Sequence, residues 1–94
     1  MKPAEKLIVF TAHAKERMKE RGASEADVRE AIRIGQPEPA QRGLVFYRLN
    51  LEFKREWSGR WYGIQQVVPV VAEEDDKMIV VTVYTFYFQE GGKR

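Results

Sequence analysis

Val45-Phe46-Tyr47-Arg48-Leu49-Asn50-Leu51-Glu52-Phe53-Lys54 decides the fold. Val45, Tyr47, Leu49, Leu51 and Phe53 alternate with Phe46, Arg48, Asn50, Glu52 and Lys54. A period of two sends successive side chains to opposite faces, so this is a long strand with one buried face. Reading forward, Trp57-Ser58-Gly59-Arg60 is a turn and Trp61–Ala72 a second strand. Pro69 has no N–H for a ladder, which predicts an edge position or a bulge there. Glu73, Glu74, Asp75 and Asp76 form an acidic turn. Met78–Phe88 is a third strand, apolar on both faces and therefore expected to be central. Residues 91–94 read as a tail.

Reading backward, Gln36-Pro37-Glu38-Pro39 predicts a rigid, non-helical connector. Before it come two helices. Thr11 is an N-cap, Ala12–Arg21 a helix, and Gly22 its C-terminal stop. Ser24-Glu25-Ala26-Asp27 resembles a capping box, with Asp where Glu or Gln is usual. It opens a helix over Glu25–Ile34 that turns Val28, Ala31 and Ile32 inward and closes at Gly35. Lys6–Phe10 is a short apolar run suited to an edge strand. The expected class is α+β: two N-terminal helices packed on a curved, three- to four-stranded antiparallel sheet, in a single domain over residues 1–94.

The 94 residues include no cysteine, which removes disulfides, thiolate catalysis and zinc–thiolate sites together. No apolar run reaches membrane-spanning length, so no membrane partner is expected and the cytoplasm is the expected location. Net charge is +2, but the four acids of the Glu73–Asp76 turn carry much of the negative charge. Without them sixteen basic residues face ten acidic ones, leaving a body of +6. A basic body fits an anionic partner such as nucleic acid.

In the first helix His13, Arg17 and Arg21 recur every four residues and fall within an arc of about 80°. Ala14 and Met18 lie beside that arc, while Lys15, Glu16, Lys19 and Glu20 lie opposite. Like charges at this spacing repel unless an anion answers them. That anion is either a structural carboxylate, with Glu52 and Asp27 as candidates, or a ligand phosphate, because an arginine fork fits both. His13 is the only histidine, so any imidazole proton transfer has to use it, unless it merely hydrogen-bonds to the sheet. Trp57, Trp61 and Tyr62 cluster near Lys54, Arg55 and Arg60. Basic and aromatic residues together suit a surface that stacks single-stranded bases, with Arg48 nearby on the same strand; the plainer reading is a core cap or dimer contact.

The stretch from Thr11 to Val28, with His13, the Arg17-Met18 pair and Arg21-Gly22, resembles the signature of domain-of-unknown-function family 4258. The final Val80-Val81-Thr82-Val83-Tyr84 resembles that family's closing strand. In outline the family is similar to RelE/ParE-like and BrnT-like toxins, although the arginine that BrnT-like toxins carry in the last strand has no counterpart at Thr82, Tyr84 or Thr85. The resemblance implies a toxin-like RNA-binding domain, and for a nuclease a metal-independent endoribonuclease with no cofactor and no metal. A ribose 2′-hydroxyl would attack its own phosphate, with His13 as base or acid and Arg17 and Arg21 stabilising charge on phosphorus. Thr82 and Tyr84 would contact phosphate or position His13. The second proton-transfer group would be Tyr84, Tyr47 or Glu52. The partners implied are RNA, a protein antitoxin and a second copy of the chain. The rival reading is a non-catalytic interaction protein, a homodimer or partner-binding module whose arginines sit in a structural carboxylate network.

Overall fold

A computed structural model describes residues 6–89 of the chain. Strand β1 (Leu7–Phe10) leads into helices α1 (Ala12–Arg21) and α2 (Glu25–Ile34). Strand β2 (Gln36–Pro39), a single 3₁₀ turn, and strands β3 (Val45–Trp57), β4 (Arg60–Glu73) and β5 (Lys77–Phe88) follow. Both helices begin and end where their caps dictate. Thr11 Oγ1 accepts from the Ala14 N–H and Ser24 Oγ from the Asp27 N–H, each at 3.0 Å. The Gly22 and Ala23 amides return to the Met18 carbonyl, and the Gly35 amide to that of Ala31.

The sheet has five strands in the order β1-β5-β4-β3-β2, and β1 pairs with β5 in parallel. The expected all-antiparallel sheet of three to four strands is thus extended at both edges. Gln36–Pro39, expected as a connector, is edge strand β2, paired antiparallel from Gln36↔Arg48 to Pro39↔Val45. Pro37 and Pro39 share one parity, so their missing N–H groups fall on the solvent side of that edge. Strand β4 is interior, which corrects the edge reading of Pro69. The β3 ladder instead passes from Phe46↔Val70 to Leu49↔Val67 without pairing Val68 or Pro69. On the other side, Val70↔Thr82 gives way to Val71↔Val80, leaving Val81 as a bulge on β5. The β3–β4 hairpin closes on Ser58 and Gly59 with φ of 56° and 87°, the type I′ conformation that matches strand twist.

One face of the sheet carries the helices. Ala14 and Met18 of α1 and Val28, Ala31 and Ile32 of α2 pack on Tyr47, Val67, Val71, Met78, Val80 and Val83. The Val81 bulge aligns Thr85 and Tyr87 with this face and turns Thr82, Tyr84, Phe86 and Phe88 to the bare one. Tyr47, a sequence candidate for proton transfer, is only 6% exposed and belongs to the helix-side core. Burial, aided by the Glu73 carboxylate, raises its pKa above the usual 10.0. The fold therefore favours the neutral phenol. That contribution is complete below pH 10 and is lost as pH climbs through the raised value. Urea-unfolding free energy is expected to decline above about pH 10, with a shallower decline in Tyr47→Phe.

Candidate functional site

The C-terminal end of α1 is fastened to β5 by hydrogen bonds rather than by charge. Arg21 Nη1 donates to the Val83 carbonyl at 2.8 Å, and its guanidinium lies 5.0 Å from the centroid of the Tyr84 ring. The Arg21 carbonyl accepts from Thr85 Oγ1 at 3.0 Å and from the Tyr87 hydroxyl. Gln65 Nε2 donates to the Gly22 carbonyl at 2.9 Å and to the Tyr87 oxygen at 3.1 Å. Strand β1 pairs with β5 only as far as Val80, so Arg21 reaches the stretch of β5 edge that β1 leaves bare. Arg17 pairs with Glu20 one turn along the same helix. His13 is exposed and makes no hydrogen bond or ion pair among the described residues. Neither Glu52 nor Asp27 meets the arginines. Both line a smaller cavity of about 320 Å³ together with Arg55 and Gln65.

Thr82 and Tyr84 lie on the bare face, so they do not orient His13 from beneath the helix. They form one wall of an open cleft of about 770 Å³. Phe46 pairs with Val70, and Val70 with Thr82, so these three residues cross the cleft floor in a row. The opposite wall is the turn between β2 and β3, where Pro39, Ala40, Gln41, Arg42 and Leu44 fold over the face. That turn is closed by Ala40 N–H to the Leu44 carbonyl at 2.8 Å. Arg42 holds a left-handed φ of 61° within it. Tyr84 is 43% exposed, and Phe86 and Phe88 continue along the same strand face at 45% and 48%. Tyr84 thus joins the two features: it carries the Arg21 guanidinium and lines the cleft.

Residues 10–85 match the family model described as Domain of unknown function (DUF4258). The chain belongs to that family. Neither the comparison with curated proteins nor that with solved structures found a match.

In this DUF4258 domain the other candidates are dispersed. Arg48 is held at 2.9 Å by Glu38 and at 3.2 Å by Gln66, which in turn donates to Asn50. It is a cross-strand tie on the bare face. Lys54 pairs with Glu52, and the Arg55 guanidinium lies over Phe53 at 4.2 Å. The three hairpin aromatics separate. Trp57 stacks on Tyr87 at 5.6 Å, and Tyr62 also packs on Tyr87, while Trp61 stays half exposed beside Arg60. Of the three groups considered as second acid or base, Tyr47 is in the core, Glu52 is paired with Lys54, and Tyr84 carries the Arg21 guanidinium. Gln41, Arg42 and Phe46 were not singled out by the sequence. The two prolines just before Ala40 were the available signal of a fixed turn.

Proposed function

We propose that this DUF4258 domain is a toxin-like RNA-binding protein that holds a single strand along the ledge between α1 and β5. The observation that carries this reading is the Arg21 guanidinium over the half-exposed Tyr84 ring, at the mouth of a cleft that Arg42 also lines. A half-exposed ring that carries one guanidinium suits a sequence-tolerant contact with unstacked bases. The +6 body supplies the long-range attraction for phosphate. His13 stands two turns from Arg21, about 12 Å along the axis, so the two serve separate points of one bound strand. Cleavage would need a base and an acid around one phosphate, with the 2′-hydroxyl as nucleophile. Binding is the activity this geometry supports, and the ribonuclease part of the proposal stands or falls on whether His13→Gln abolishes strand scission.

Fluorescence anisotropy with a short labelled single-stranded RNA tests the reading. Affinity should fall steeply between about 50 and 200 mM salt. Arg21→Ala and Tyr84→Ala should each weaken binding by roughly tenfold or more. Arg42→Gly should lower affinity too, yet raise unfolding free energy by about 0.5–1 kcal/mol, because relief of the left-handed penalty exceeds the entropy cost of glycine. No detectable binding at low salt ends the proposal. A second reading, a non-catalytic interaction protein, draws on the exposed rings of Phe86 and Phe88. Under it sedimentation gives a concentration-dependent dimer, or a protein partner such as an antitoxin covers those rings, and RNA does not bind.

A further inference from the structure

We infer that the cleft between the Gln41–Leu44 turn and β5 receives one unstacked nucleobase, an inference that rests on the RNA-binding reading above. The cleft floor spans three strands, β3 to β5, and two strand spacings make it about 10 Å wide. Its centre is apolar, with Val70 between the Phe46 ring and Thr82. Its lining includes two residues whose side chains each donate and accept a hydrogen bond, Gln41 and Thr82. A nucleobase has the complementary form: flat apolar faces bounded by an edge of donors and acceptors. An aliphatic or lipid chain would leave the Gln41 and Thr82 groups without partners, and a free phosphate would leave the Phe46 and Tyr84 rings unused.

The flanking charges fit the same occupant. Arg42 lines the turn side and Arg21 sits on Tyr84 at the β5 side, so a base in the cleft has a cation on either side for the phosphates next to it. Arg42 occupies a backbone region that costs a non-glycine residue about 1–2 kcal/mol, next to Gly43, which takes the same left-handed region at φ 74°. A strained cationic residue on a cleft wall is the kind of local penalty that persists at ligand sites. Gln41 and Thr82 lie outside the buried core, so they can be replaced without opening it.

Titration calorimetry with the four nucleoside 5′-monophosphates, ribose 5-phosphate and inorganic phosphate tests the inference on the whole chain. At least one nucleotide should bind tenfold or more tightly than ribose 5-phosphate. Gln41→Ala and Thr82→Val, both outside the core, should each weaken that nucleotide several-fold while leaving ribose 5-phosphate unchanged. Equal binding of ribose 5-phosphate and nucleotides overturns the base pocket, as does indifference to both substitutions or the absence of nucleotide binding. The oligonucleotide assay separates the two proposals. If single-stranded RNA binds with salt dependence while Gln41→Ala and Thr82→Val are silent, the pocket falls and the RNA reading stands. If nucleotides bind and RNA does not, the pocket stands as a nucleotide site and the RNA reading falls.

Discussion

Gly22→Ala is expected to remove about 3 kcal/mol or more of unfolding free energy. Gly22 has a φ of +78°, where a side chain costs about 1–2 kcal/mol on its own. A Cβ there would stand 2.8 Å from the Tyr87 hydroxyl and 2.9 Å from two ring atoms of Trp57. Neither neighbour can swing away. The Tyr87 hydroxyl is held by the Arg21 carbonyl and by Gln65, and its ring packs on Phe53, Trp57 and Tyr62. Forcing atoms into such packing adds about 1–3 kcal/mol. Urea titration of Gly22→Ala beside Gly22→Asn separates the two costs. Asparagine tolerates the left-handed region but keeps the clash, so it should recover only the backbone share. An alanine variant within about 1 kcal/mol of the parent would show that the turn is free to move off Trp57 and Tyr87.

Gln65→Leu is expected to cost about 2–3 kcal/mol, because the shape is nearly kept and the hydrogen bonds are not. Gln65 is 1% exposed and is the polar residue buried among the described core. Its amide satisfies the Gly22 carbonyl at the end of α1 and touches the Tyr87 oxygen. Leucine would leave that part-buried carbonyl without its donor, a penalty of about 1–3 kcal/mol. Gln65 and Tyr87 share one cluster, so their losses should not add. A double-mutant cycle with Tyr87→Phe should show a coupling of at least about 0.5 kcal/mol. Strict additivity would mean that the two residues fasten α1 independently.

Local chemistry made the helices legible to the residue. Thr11, Gly22, Ser24 and Gly35 each carry their meaning within four positions, and the period-two run from Val45 gave the central strands. The edges of the sheet were not legible for two different reasons. Gln36-Pro37-Glu38-Pro39 looks unable to form a ladder, yet both prolines fall on the outward parity, and Gln36 and Glu38 keep the N–H groups that face β3. Leu7–Phe10 reads as a strand, but nothing within it names Lys77–Val80 as its partner. The Val81 bulge was hidden because β5 is apolar on both faces, so a one-residue slip leaves no mark on its pattern. The same limits apply to the site. Parity correctly put Thr82 and Tyr84 on one face, and helical spacing put His13, Arg17 and Arg21 on one stripe. That Arg21 alone of the stripe reaches Tyr84, and that Arg42 closes the cleft, depends on how a turn folds over a sheet, which no local pattern encodes.

The parallel pairing of β1 with β5 has a consequence for the order in which the chain is made. Leu7 is joined to Lys77, seventy positions later, and α1 also rests on β5. During synthesis the hairpin of β3 and β4 can zip as soon as it emerges, since its partners are neighbours in sequence. Strand β1 has no strand to pair with, and α1 lacks the hydrogen-bonding partners of its C-terminal end on β5, until β5 leaves the ribosome. Long-range closure of this kind is slow compared with hairpin formation. Until then Ile8, Phe10, Ala14 and Met18 lack the share of the core that Met78, Val80 and Val83 supply. The ledge that joins Arg21 to Tyr84 therefore exists only after residue 84 has been made: a chain cut short before that position lacks it.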